Sequence, residues 1–134
     1  MLGSVAVLIL ATLFTLWYFP GLTFRMVSVS DGVHSWGQRW QTILGISVTE
    51  AMITYPTDAE ARAEFDNRIS KAETILQRTK NLPSVDEQVV GTFINTLNER
   101  RYCIVRLHKN SVYQSYAPSL RYALEFDKFR DRNN

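Results

Sequence analysis

The first 24 residues, MLGSVAVLILATLFTLWYFPGLTF, contain no charged side chain. A helix from Leu2 to Phe19 would be about 27 Å long at 1.5 Å per residue, close to the thickness of the hydrocarbon core of a bilayer. Trp17 and Tyr18 stand at the end of the apolar run, where aromatic residues mark membrane interfaces. We therefore predict a transmembrane anchor over residues 1–24. The alternative is a buried core helix of a soluble protein.

A cleavable signal peptide fits this stretch poorly. Signal peptides need a positive region ahead of a shorter apolar core, followed by small residues at the cleavage site. Here the amino terminus is the only positive group ahead of the core, and Trp17, Tyr18 and Phe19 stand where small residues are required. The sequence thus favours a segment that is retained.

The remaining residues, 25–134, carry all fifteen Lys and Arg and all thirteen Asp and Glu. They suffice for one small domain. A net charge of +2 gives no argument for nucleic acid as a partner. Cys103 is the single cysteine, so a disulfide framework within the chain is excluded. We interpret it as a small, partly buried apolar residue.

Helical spacing of apolar residues predicts that this domain is built from helices. The first runs from an N-cap at Ser30 or Asp31 to Pro56, with Trp36 and Trp40 on its apolar stripe. The second begins with a capping box, in which Thr57 is the N-cap and Glu60 its partner. It extends past Thr79 and stops before Leu82-Pro83.

The sequence predicts two further helices in this domain. The segment SVDE suggests a second capping box with Ser84 as the N-cap, at the start of a helix that reaches Val105. A shorter helix is expected from Pro118 or Ser119 to Arg130. The predicted fold is therefore all-α, with one N-terminal transmembrane helix and a bundle of three to four antiparallel helices over residues 25–134.

No local motif for catalysis, metal binding or cofactor binding is present. His34 and His108 are the only histidines, and Cys103 and His108 would point about 140° apart on a helix. The glycines form no phosphate loop. We predict no catalytic, metal or cofactor site, and so no enzyme.

Two groups of residues are candidates for contacts at a surface. Four aromatic residues are predicted to lie at the membrane interface, although the last two could instead pack in the bundle core: Trp17, Tyr18, Trp36 and Trp40. A basic and tyrosine-rich group is a candidate for anionic lipid or an acidic partner, against the alternative of an ordinary solvated face. It comprises Arg100, Arg101, Arg106, Lys109, Tyr102, Tyr113 and Tyr116.

These features predict an accessory or structural subunit of a larger membrane complex, of respiratory, photosynthetic or transport type, whose partners are integral membrane protein subunits. A phage- or virus-encoded membrane protein is the first alternative, and a membrane-bound enzyme or ligand binder without a local motif is the second. Arg25 and Arg39 follow the anchor, against Asp31 alone. The positive-inside rule then predicts the body on the cytoplasmic side, or on the matrix or stromal side of an organelle.

Overall fold

The computed structural model describes residues 2–19 and 23–132. These residues form three helices and one seven-stranded antiparallel sheet, so the predicted all-α bundle is wrong. The elements in chain order are α1 (Leu2–Tyr18), β1 (Arg25–Asp31), β2 (Ser35–Gln41), β3 (Ser47–Thr54), α2 (Asp58–Ser70), β4 (Thr74–Leu82), β5 (Val85–Ile94), β6 (Arg100–His108), β7 (Ser111–Ala117) and α3 (Leu120–Arg132).

The sheet is made of two meanders that meet at its centre. The strand order is β1-β2-β3-β7-β6-β5-β4. The first meander has three strands and the second has four, and the pairing of β3 with β7 joins them. Helix α2 connects β3 to β4 at the far edge. This topology leaves β1 and β4 as the two edge strands.

The two helices that follow the first meander cover opposite faces of the sheet. Helix α2 packs on one face, here called the α2 face, over the core cluster of Ala61, Phe65, Ile69, Val89, Cys103, Val105, Leu107 and Val112. Helix α3 packs on the other, the α3 face, over Phe24, Val48, Val90, Ile104, Ala117, Ala123 and Phe126. The central strands are therefore buried on both sides.

Burial on both faces explains why β5 and β6 do not show the alternation of a half-exposed strand. Val89 and Val90 are both buried, one on each face, and so are Cys103 and Ile104. Such runs are apolar without a period of two, and a short apolar run cannot be assigned to helix or strand from periodicity. The helix predicted from Ser84 to Val105 is instead a hairpin.

The turns of the second meander include one residue, Ser84, that the sequence analysis assigned to the start of a helix. Ser84 lies in the turn between β4 and β5 and is not an N-cap. Asn95 forms the turn between β5 and β6, where its side-chain oxygen accepts hydrogen bonds from the backbone N–H groups of Leu97 and Glu99. An Asx turn of this kind ends a strand locally.

The helix predicted over residues 30–56 is also wrong, because this segment forms most of the first meander. Trp36, Gln38 and Trp40 share one face of β2, and Val48, Glu50 and Met52 share the same face of β3. The polar residues Gln38 and Glu50 interrupt the apolar alternation and hid the period of two. Gly45, with φ of +86°, lies in the loop between these strands and accommodates its left-handed backbone.

Two helices were predicted in part or in full. Thr57 is the N-cap of α2, and its hydroxyl accepts a hydrogen bond of 3.1 Å from the N–H of Glu60. Helix α2 ends at Ser70, however, and the residues expected to continue it form β4. Helix α3 confirms the last predicted helix, although the connection before it contains β7.

The apolar N-terminal segment forms a helix, but the prediction of a transmembrane anchor is contradicted. Helix α1 has 17 residues, which corresponds to about 26 Å. In the described part of the chain, no helix combines the length and the apolar character required to cross a membrane. Phe24, assigned to the anchor, is a core residue on the α3 face. The anchor was the basis for two further predictions, the single-pass topology and the cytoplasmic, matrix or stromal location of the body. Both predictions are therefore contradicted as well.

Candidate interaction surface

Helix α1 is apolar on every side and none of its residues is buried. The exposed fraction is 89% for Leu2, 67% for Leu8 and 59% for Phe14. A helix that is apolar all round is normally enclosed by other apolar groups. The exposed side chains of α1 therefore form the most extensive unpartnered apolar surface among the described residues.

The two threonine side chains of α1 are hydrogen-bonded within the helix. The hydroxyl of Thr12 donates a 2.8 Å hydrogen bond to the carbonyl of Leu8, and that of Thr15 donates one of the same length to the carbonyl of Ala11. A hydroxyl that is already hydrogen-bonded costs little to move out of water. These two threonines are thus compatible with an apolar environment around α1.

The carboxyl-terminal end of α1 is attached to the first turn of α3 by Arg121. Its guanidinium donates a hydrogen bond to the backbone carbonyl of Trp17, and its Cζ lies 4.3 Å from the centre of the Trp17 ring. A cation is favourable at this end because helix carbonyls there lack partners inside the helix. Arg121 also lies 5.9 Å from the ring of Tyr18. Arg121 therefore contacts Trp17 and Tyr18, the two residues of α1 that were predicted to lie at a membrane interface.

The other two aromatic residues of that prediction lie on β2 and face α3. Trp40 packs against Phe126 and Phe129, at ring-centre distances of 5.9 and 5.2 Å. The ring of Trp36 lies 6.3 Å from that of Tyr113. Trp40 thus contributes to the core on the α3 face, which was the alternative left open by the sequence.

A buried carboxylate organises the α3 face. Glu50 has no exposed surface. It accepts hydrogen bonds from Nε1 of Trp40 at 3.0 Å and from the hydroxyl of Tyr113 at 2.8 Å, and it pairs with Nε of Arg130 at 3.2 Å. Burial and the negative charge of Glu50 raise the pKa of Tyr113, so the phenol keeps its proton. The network links three strands, β2, β3 and β7, to α3.

The α2 face has a second buried carboxylate, Glu87, which is 1% exposed. It accepts hydrogen bonds from Arg62 at 2.6 Å and Arg78 at 2.9 Å, and Nζ of Lys80 lies 3.7 Å away. Burial by itself raises the pKa of Glu87, but the hydrogen bonds from Arg78 and Arg62 outweigh it and hold the pKa below its usual value. Glu87 is thus a charged group with three cationic neighbours.

The basic and tyrosine-rich group predicted as a contact surface is divided between the two faces of the sheet. Its three arginines all lie on β6 and pair with separate carboxylates: Arg100 with Glu73, Arg101 with Glu99 and Arg106 with Asp127. Lys109 lies in the turn between β6 and β7.

The tyrosines of the same group are likewise dispersed. Tyr102 packs on the α3 core and Tyr116 on the α2 core. Burial raises the pKa of Tyr116 to about 12. Within the group, the guanidinium of Arg106 lies 5.6 Å from the ring centre of Tyr113, and Arg101 and Tyr116 line the same groove.

A groove of about 460 Å³ opens on the α3 face over Trp36, Met52 and Tyr113. Arg106 and Arg130 line it, but each is paired with a carboxylate, Asp127 and Glu50. The described residues contain no group of three or more His, Cys, Asp or Glu placed to hold a metal ion. Cys103 is fully buried, and burial raises the pKa of its thiol to about 12.

Sequence reasoning missed Glu50 and Arg121, and it assigned Glu87 only as the capping-box partner of Ser84 in the segment SVDE. Nothing local distinguishes these residues from solvated charges, since their partners lie elsewhere in the chain. Tyr113 is 63 residues from Glu50, and Trp17 is 104 residues from Arg121. No family model matches this chain, and no curated protein or solved structure does so.

Proposed function

We propose that this protein is a non-catalytic accessory subunit of a larger complex, and that it joins the complex through α1. The observation that carries this proposal is an apolar helix without a buried residue, held at one end by Arg121. Exposed apolar surface of this extent is typical of an interaction site.

The partners we propose are subunits that present apolar helices, as integral membrane proteins do. Pairing with one α1 from a second copy would cover only one side of a helix that is apolar all round. Partner subunits with several apolar helices could cover the other sides as well. The internally bonded hydroxyls of Thr12 and Thr15 suit such a contact.

Site-specific crosslinking of the full-length chain in its native cells tests this proposal. A photoreactive phenylalanine derivative replaces Phe14 in α1, and in a control chain it replaces Val33, which is 92% exposed at the turn between β1 and β2. We expect Phe14 to give crosslinks to an apolar helix of a subunit that co-purifies in stoichiometric amount. Val33 should give none to that helix.

Substitutions provide the second arm. Leu8→Lys should abolish co-purification of that subunit, because a charge would have to be buried against apolar helices. Val33→Lys should leave co-purification unchanged. Crosslinks from Phe14 only to a second copy, or only to lipid, would show that partner subunits do not cover α1 and would refute the proposal.

A further inference from the structure

A second surface, at the edge of the sheet formed by β4, has the properties of a docking site. Strand β4 is an edge strand that pairs only with β5. Among the described residues, no other backbone group hydrogen-bonds to its outer side. The pairing is irregular between Ile75 and Gln77 and regular from Gln77 to Lys80. An open regular edge of this kind can accept an additional strand.

The same edge has an excess of positive charge. Arg78 and Lys80 project from β4 on the α2 face, opposite Val89 and Glu87 in the pairing register. The side chains of Arg62, Arg78 and Lys80 remain 46, 42 and 66% exposed. They share one buried carboxylate, that of Glu87.

Among the described residues, one further carboxylate is within ion-pair distance of these cations. Asp66 is 3.9 Å from Arg62 and is half-exposed. Three cations therefore face two carboxylates. The contacts with Glu87 also hold the two guanidinium groups in place, which lowers the entropy that a ligand would have to remove.

We propose that β4 binds an acidic segment of a partner chain as an added strand, with its carboxylates against Arg62, Arg78 and Lys80. The backbone edge would supply the hydrogen bonds and the three cations the selectivity. This proposal goes beyond the role of α1 and uses none of its residues.

The charges on β4 give less support to the two alternatives, which are pairing with a second copy of the chain and docking at the other edge strand. A second copy that paired through β4 would bring its own Arg78 and Lys80 against the same cations. A lysine on an edge strand discourages unspecific strand pairing, and an acidic segment is the partner for which this lysine is favourable. The other edge strand, β1, has Arg25 and Asp31 and no comparable excess.

Fluorescence anisotropy of the full-length chain with a labelled peptide tests the proposal. The peptide alternates Glu and Val, so that in an extended conformation all its carboxylates lie on one side. Two control peptides replace Glu with Lys, or replace Val with Pro, which cannot donate backbone hydrogen bonds. We expect only the acidic peptide to bind, with an affinity that decreases as salt is added.

Matched protein variants identify the surface. Lys80 and Lys128 both lie 3.7 Å from a glutamate, with side chains 66 and 69% exposed, but Lys128 is on α3. Lys80→Gln should weaken binding by about twofold to fivefold, which corresponds to one exposed ion pair, and Lys128→Gln should not. Arg78→Gln should also weaken binding, and Arg78→Lys should restore part of it.

Four outcomes would overturn the proposal. The first is an affinity for the acidic peptide that is unchanged by Lys80→Gln and Arg78→Gln. The second is equal binding of the proline peptide, which would exclude strand addition. The third is tighter binding of a single-stranded oligonucleotide than of the peptide. The fourth is a complete lack of peptide binding at low salt by a chain whose circular dichroism shows that it is folded.

Discussion

Oε2 of Glu50 on β3 lies 3.2 Å from Nε of Arg130 in the last turn of α3. The two side chains are 0 and 22% exposed, so the ion pair lies largely out of water. Since Trp40 and Tyr113 donate to the same carboxylate, α3 is held to the sheet by polar contacts as well as by Phe126. Groups of this kind are costly to separate, because each would lose its partner inside the protein.

Glu50→Ala should therefore destabilise the fold by about 3–5 kcal/mol, the range for removal of one partner of a buried ion pair. The substitution removes the carboxylate that is the common partner of Arg130, Tyr113 and Trp40. Chemical denaturation followed by circular dichroism measures the loss. Arg132→Ala, at the exposed end of the same helix, is the control and should change the free energy of unfolding by less than about 0.5 kcal/mol. Equal effects of the two substitutions would contradict the assigned network.

The pH dependence of stability should report on Glu87. Its pKa in the folded state lies below the usual value of 4.5, so the carboxylate stabilises the fold above that pH. This contribution should be lost as the pH falls from about 4.5 through the lower folded-state pKa, because the unfolded chain then binds more protons. Denaturation curves at a series of acidic pH values measure the effect.

Glu87→Gln removes the titrating group and should reduce the slope of stability against pH in this range. It should also lower stability at pH 7 by about 2 kcal/mol, as expected for the loss of hydrogen bonds to a charged group. Identical slopes for the variant and the original chain would show that Glu87 is not the responsible carboxylate.

Arg121→Ala should free the end of α1 from α3 without unfolding the sheet. The substitution removes the hydrogen bond to the Trp17 carbonyl and the contact with the Trp17 ring. In a chain labelled with fluorotryptophan, the fluorine resonance of Trp17 should shift, while those of Trp36 and Trp40 should stay. Arg39→Ala, an exposed arginine on β2, should leave the Trp17 resonance in place. Movement of all three resonances in Arg121→Ala would instead indicate global unfolding.

Two residues proposed from sequence as N-caps should now behave differently. Thr57→Ala removes a hydroxyl that accepts from the N–H of Glu60 and should cost about 1 kcal/mol. Ser84 lies in a turn between strands, so Ser84→Ala should be close to neutral. Thermal unfolding of both variants gives the comparison. A greater loss of thermal stability in Ser84→Ala than in Thr57→Ala would contradict the assignment of Ser84 to a hairpin turn between β4 and β5.

Local patterns were informative where a structural element depends on its own residues. The charge-free segment correctly indicated a helix over Leu2–Tyr18, Thr57 marked the start of α2, and Ser119 stands directly before α3. In each case the signal is contained within a few turns of the helix. The same patterns failed for the strands, since Val89-Val90 and Cys103-Ile104 satisfy helical spacing as well as burial on two faces.

By itself, the sequence determined that an apolar helix precedes a charged domain, and where two of the three helices begin. Only the tertiary structure decided that β3 pairs with β7, and that Glu50 and Glu87 are enclosed by distant donors. The physical reason is that strand pairing and buried ion pairs join residues far apart in the chain. Their stability depends on which faces α2 and α3 cover, and no local spacing of residues specifies that choice.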